Sequence, residues 1–241
     1  MDTRRLLNLA ALGGPAAVVV TLAGWLVAGM LPLPISPSAS PSEVLSFFTD
    51  QPDRVMAGFV LSSIGVVLMA PMLALISVHM LRMEGRVPIL AFTQILTAAV
   101  TVVVNLFPQL IFAVGGFRTD RSSDTIVLLN DLAWLLLFTG IAPFMIQNVV
   151  IGLAVLRDPA GVFPRWLAYL NFLVAFAFVP DVLAYFFTTG PFAWNGVLVF
   201  WLALTAYCVF LVAMSWACRR ANHLLLAPAP APAQREHASV A

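Results

Sequence analysis

Lysine is missing altogether from this 241-residue chain, and all twelve basic side chains are arginine. Schiff-base chemistry on a lysine amine is thereby excluded. Charge of either sign is scarce: 10% of residues, against about 25% in ordinary soluble domains. With a net charge of +1 and its arginines spread among short polar stretches, the chain offers no basic face to nucleic acid. Cysteine is down to two, Cys208 and Cys218. Ten residues of helix would part them by about 15 Å, beyond the roughly 7 Å between Cα atoms that a disulfide tolerates. His79, His223 and His237 are the only histidines, and none has a second histidine at metal-ligand spacing. There is no P-loop, no HExxH, no di-iron histidine box, no CxxC, no GxSxG elbow and no regular arginine repeat of the voltage-sensor kind. No catalytic residue, metal site or cofactor is therefore expected, and the reading leans away from an enzyme.

What is abundant is apolar surface, at 61% of residues. A folded monomer of this composition cannot dress itself for water, and runs of about 20 apolar residues are long enough to cross hydrocarbon as helices. The chain reads as an all-α integral membrane bundle of about six transmembrane helices. The expected spans are 13–33, 55–80, 88–113, 125–156, 166–187 and 197–217. The first is longer than a signal-peptide core and reads as an uncleaved helix. Ser42, followed by Glu43 and an apolar run, predicts a short capped surface helix over 42–49. Residues 1–217 form one domain, and the Ala/Pro-rich stretch 218–241 reads as a disordered cytoplasmic tail.

Six spans put both termini on one side. That side holds Arg4, Arg5, Arg82, Arg86, Arg157, Arg165, Arg219, Arg220 and Arg235, and the other only Arg54, Arg118 and Arg121. Arginine-rich loops stay in the cytoplasm, so both termini are placed there. Trp166, Trp194 and Trp216 fall at span ends, where an aromatic belt belongs. Ala70-Pro71 leading to Arg82, Pro88, Ala91 and Gln94 is echoed by Ala142-Pro143 leading to Arg157, Pro164, Ala168 and Asn171, a pattern compatible with a duplicated hairpin.

Polar residues inside apolar spans are costly and need a reason. Asp131 and Asp181 each lie about 9 Å below the outer end of their span. Asn105, Gln109 and Asn130 fall in the same layer, with Arg118, Arg121, Trp194 and Asn195 in the loops above. One reading is an outward-facing polar pocket that binds a small molecule through Asp131, Asp181, Asn130, Asn105, Gln109, Trp194, Asn195 and Arg118. The other pairs the two aspartates with Arg118, Arg121 or Arg54, pinning the outer loops, and the shallow depth favours it. A second polar layer at the cytoplasmic end, with His79, Arg82, Glu84, Gln94, Gln147, Asn148, Asp158, Arg165 and Asn171, reads as snorkelling and helix–helix hydrogen bonding. Pro71, Pro108, Pro143 and Pro180 lie inside spans and are expected to kink them.

The segments Phe163-Pro164-Arg165-Trp166-Leu167-Ala168-Tyr169-Leu170 and Thr189-Gly190-Pro191-Phe192-Ala193-Trp194-Asn195-Gly196 carry a resemblance, as do Arg82-Met83-Glu84-Gly85 and Asn130-Asp131-Leu132-Ala133-Trp134. With the stretch from Glu43 to Arg54, they make the chain resemble an uncharacterised family of bacterial polytopic membrane proteins common in actinobacteria. The resemblance implies six helices and a plasma-membrane location, and supplies no activity, cofactor or site residue. The turn around Gly190 and Asn195 serves either as a lid over the outer pocket or as a packed corner. Three functions stay open: a small-molecule-binding or transport protein, an accessory or scaffold subunit without chemistry, and an intramembrane lipid- or sterol-modifying enzyme using Asp131 or Asp181. Membrane lipids are the expected partners, with a small-molecule ligand, a membrane-protein partner or a second copy of the chain left open.

Overall fold

The computed structural model describes residues 2–226. The helices are α1 (Thr3–Ala11), α2 (Gly13–Ala28), α3 (Pro41–Thr49), α4 (Pro52–Leu68), α5 (Ala70–Glu84), α6 (Ile89–Phe117), α7 (Ser123–Thr139), α8 (Ala142–Arg157), α9 (Trp166–Ala177) and α10 (Leu202–Leu226). A 3₁₀ segment, Val179–Tyr185, follows α9, and a π-helical turn, Val197–Trp201, leads into α10. Joined end to end they make six rods long and apolar enough to cross a membrane: Thr3–Ala28, Pro52–Glu84, Ile89–Phe117, Ser123–Arg157, Trp166–Tyr185 and Val197–Leu226. The chain has the build of a multi-pass membrane protein. The last rod runs on to Leu226 rather than stopping at 217; the rest of the expected tail, 227–241, lies outside the described residues.

Five of the six rods are interrupted, the first at Leu12. The second breaks at Met69 and the fourth at Gly140–Ile141, and in each the next helix starts Ala-Pro. Proline in a first turn has no hydrogen-bonded N–H to lose, so a broken rod accommodates Pro71 and Pro143 without penalty. The echo noticed in the sequence is thus an echo of helix breaks. In the fifth rod Pro180 ends the α-helix, and 3₁₀ winding takes over. Pro108 is different, because it sits within the unbroken α6.

Small residues let the first two rods touch backbone to backbone. On α2 these are Thr21, Gly24 and Ala28; on α4 they are Gly58, Ser62 and Gly65. A methyl group on Gly24 would lie 2.5 Å from the Gly58 carbonyl oxygen, and one on Gly65 2.5 Å from the Thr21 nitrogen. Ser62 donates its hydroxyl to the Thr21 carbonyl at 3.1 Å. This is small-xxx-small packing, which replaces the missing hydrophobic force between helices in lipid by close dispersion contact.

The interior is split in two. One buried cluster fills the half nearer the termini, including Met69, Met72, Ile76, Met80, Phe144, Ile151, Phe163, Phe210 and Met214. The other fills the opposite half, including Trp25, Phe48, Phe59, Phe112, Trp134, Trp194 and Phe200. Outward-facing side chains such as Leu96, Phe176 and Phe186 are exposed, which suits hydrocarbon as solvent.

The short surface helix begins earlier than the sequence suggested. Its N-cap is Ser40, not Ser42. Ser40-Pro41-Ser42-Glu43 is a complete capping box: the Glu43 nitrogen donates to Ser40 Oγ at 3.3 Å, and the Ser40 nitrogen to Glu43 Oε2 at 2.7 Å. These bonds from Ser40 hold the Glu43 carboxyl below its usual range. Its contribution is therefore fully present above the carboxyl's unfolded value and is lost as pH falls through the lower folded value. In thermal-unfolding scans from pH 6 to pH 3, Glu43→Gln is expected to lose less stability on acidification than the wild type. Parallel acid limbs would refute the cap's role.

Trp194 does not join an aromatic belt. It is 4% exposed, stacks on Trp134 with centroids 6.2 Å apart, and donates its indole N–H to the Ile35 carbonyl at 2.8 Å. A buried indole needs such a partner, and the outer loop provides it. The Gly190–Gly196 turn is accordingly a packed corner.

Candidate functional site

Where the two buried clusters meet, the bundle leaves a crevice. Its walls are Trp25 from the first rod, Thr101, Val104 and Asn105 from α6, Leu137, Phe138, Gly140, Ile141 and Phe144 across the break in the fourth rod, Phe178 at the end of α9, and Phe200, Ala203, Leu204 and Tyr207 from the sixth. The breaks in the fourth, fifth and sixth rods converge here, as irregular backbone in membranes does where it borders a cavity. The space is narrow, about 60 Å³. A second void of about 40 Å³ shares Trp25, Asn105, Leu204 and Tyr207 with it and adds Thr21, Gln109 and Cys208.

The walls are aromatic with a few polar atoms. Trp25 donates its indole N–H to Gln109 Oε1 at 2.8 Å. Asn105 donates its amide to the Thr101 carbonyl at 2.9 Å. Tyr207 donates to Met69 Sδ at 2.8 Å, at the break of the second rod. Thr101 Oγ1 is buried with no partner, an open hydrogen-bonding position on the wall. Val104 closes over Gly140, where a methyl group would lie 2.5 Å from Val104 Cγ1.

The residues anticipated from sequence divide between places. Asn105 and Gln109 are in the walls. Asn130 is buried and donates to Asp131 Oδ1 at 3.3 Å, and Asp131 is half-buried. Asp181 is fully buried in the 3₁₀ segment with neither oxygen hydrogen-bonded. Neither aspartate belongs to the crevice walls. Asn195 is half-buried in the corner and Arg118 is exposed at the end of α6. The expected arginine pairing does not form at Arg54 or Arg121. Arg54 donates to the Val27 carbonyl at 2.7 Å and to Gln51 Oε1 at 3.1 Å, and Arg121 to the Val114 carbonyl. Terminal carbonyls of helices are bare acceptors, and they draw the guanidinium groups. Sequence reasoning missed the aromatic wall, because Trp25, Phe138, Phe200 and Tyr207 look like any other residues of an apolar run.

The inner polar layer is only partly helix–helix hydrogen bonding. Ser77 donates to Gln94 Oε1 at 2.5 Å. Asn222 donates to Asn8 Oδ1 at 3.1 Å, so its oxygen faces His79 Nε2 at 3.2 Å. Nε2 then carries the proton and Nδ1 is a bare acceptor, which is left without a partner. Asn148 and Asn171 donate to the carbonyls four residues back, of Phe144 and Leu167. Their oxygens are bare, as are both amide atoms of Gln147. Arg82 instead donates to the Leu224 carbonyl, and Glu84 and Asp158 bind backbone N–H groups. Among the described residues no group of three His, Cys, Asp or Glu side chains is placed to hold a metal ion.

No family model, curated protein or solved structure matches this chain.

Proposed function

We propose that the chain is a bacterial plasma-membrane protein of the actinobacterial type it resembles, with both termini in the cytoplasm, that binds a slender, largely apolar small molecule bearing a hydrogen-bonding group. The observation that carries this is the crevice at the seam of the two buried clusters. Six aromatic rings, Trp25, Phe138, Phe144, Phe178, Phe200 and Tyr207, border it, beside the side chain of Asn105 and the unpartnered hydroxyl of Thr101. Mostly apolar walls with a few placed polar groups are what fix a ligand's position and orientation. The nine-to-three arginine bias supports the orientation.

The test is to purify the full chain in native lipid and identify what co-purifies by mass spectrometry. One compound is expected at near-stoichiometric amount. Asn105→Leu should lower its retention about tenfold, the worth of one buried hydrogen bond, and Tyr207→Phe should lower it less. Asp131→Asn, outside the walls, should leave it unchanged. An identical profile in wild type, Asn105→Leu and Tyr207→Phe would remove the reading. Loss in Asp131→Asn or Asp181→Asn alone would return the site to the outer carboxylates.

A further inference from the structure

We propose that the face carrying both termini holds a binding site for the headgroup of an anionic phospholipid, built from Trp166, Trp216, Arg165, Arg219 and Arg220. Trp166 opens α9 and Trp216 lies toward the end of α10. Their rings meet with centroids 5.7 Å apart, yet remain 48% and 43% exposed. A tryptophan pair packed together and still uncovered, at the ends of two spans, sits where hydrocarbon gives way to headgroups. The Arg220 guanidinium lies 5.4 Å over the Trp216 ring. Arg220 is exposed, and a guanidinium can meet a ring and still offer N–H groups for a forked bond to phosphate. Arg219 is the preceding residue, one helical turn from Trp216. Arg165 directly precedes Trp166, and both arginines are exposed.

The surrounding charge points the same way. Among the described residues this face has eight arginines, Arg4, Arg5, Arg82, Arg86, Arg157, Arg165, Arg219 and Arg220, against three acids, Asp2, Glu84 and Asp158. All three acids are committed to backbone donors. Asp2 accepts from the Arg4 nitrogen at 3.4 Å, Glu84 from Leu90 and Ala91 at 3.0 and 2.6 Å, and Asp158 from Ala160 and Val162 at 2.9 and 2.7 Å. They are built into helix and turn caps and compete poorly for the arginines of the patch. Arg82 is itself held by the Leu224 carbonyl, and of the other seven arginines three, Arg165, Arg219 and Arg220, adjoin the tryptophan pair. The occupant is a lipid rather than an acidic peptide, because the rings reach into hydrocarbon that a soluble peptide does not enter.

The experiment is native mass spectrometry of the detergent-purified full chain with equimolar phosphatidylglycerol and phosphatidylcholine. Phosphatidylglycerol adducts are expected in excess by on the order of tenfold or more. Arg219→Gln with Arg220→Gln should abolish the excess, and Trp166→Leu with Trp216→Leu should weaken it. Arg4→Gln with Arg5→Gln, equal in charge removed but outside the patch, should leave it intact. Arg220→Lys keeps the charge and loses the fork, and is the variant to read if the double substitution aggregates; a clear loss of the excess is expected. Equal adducts of both lipids overturn the proposal, as do equal losses from the two arginine pairs, an excess undiminished in Arg220→Lys, or displacement of the lipid by a poly-glutamate peptide.

Discussion

Gly58→Leu should force the first and second rods apart and lower stability by about 2–3 kcal/mol, a fall of roughly 5–10 °C in the thermal midpoint. Gly58 faces the backbone of Gly24 and Ala28 so closely that even one methyl group has nowhere to go. The neighbouring atoms are main chain, so no rotamer change relieves the overlap. In lipid the loss is not repaired by hydrophobic collapse, because a separated helix is as comfortable among acyl chains as against its neighbour. The control is Leu96→Ala, at a side chain 70% exposed on the outer surface, which should change stability by no more than about 0.5 kcal/mol. Midpoints measured in one detergent decide the matter. If Gly58→Leu unfolds where Leu96→Ala does, the close packing of these rods contributes nothing.

That interface shows what could be read beforehand. The rods themselves were legible, because apolar length is a one-dimensional property and hydrocarbon admits few other structures. The small-residue faces, Gly58-Ser62-Gly65 on one helix and Gly24-Ala28 on the other, were also visible, but which helices they join depends on three-dimensional arrangement. The same holds for the crevice. Pro71, Pro143 and Pro180 announced irregular backbone, and the structure puts breaks beside each of them. Pro108 gave the same signal and produced no break. The walls came from rings that the sequence offers dozens of ways to pack. Asp181 was legible as costly and illegible as to partner, since two of the three candidate arginines, Arg54 and Arg121, end on carbonyl oxygens instead. Ser40 as the cap was within reach, because the Ser-x-x-Glu spacing is a local rule.

The inner polar layer yields predictions of opposite sign from two of its amides. Gln147 is fully buried with neither amide atom hydrogen-bonded. Leaving such a group unsatisfied costs about 1–3 kcal/mol. Methionine has nearly the same length and no strong hydrogen-bonding demand, so Gln147→Met should raise stability by an amount of that order. Asn222 is the converse. It bridges His79 and Asn8 at 3.2 and 3.1 Å, and Asn222→Leu would strand both, lowering stability by about 2 kcal/mol. The two changes remove the same kind of group from the same end of the bundle, so detergent and lipid effects cancel in the comparison. Native sequences keep a destabilising residue where function asks for it. A stabilised Gln147→Met would therefore mark Gln147, with the bare oxygens of Asn148 and Asn171, as a place where stability has been traded for something else. A destabilised one would mean that these atoms have partners in the membrane, water or a donor-bearing guest, and that the layer is filled rather than dry.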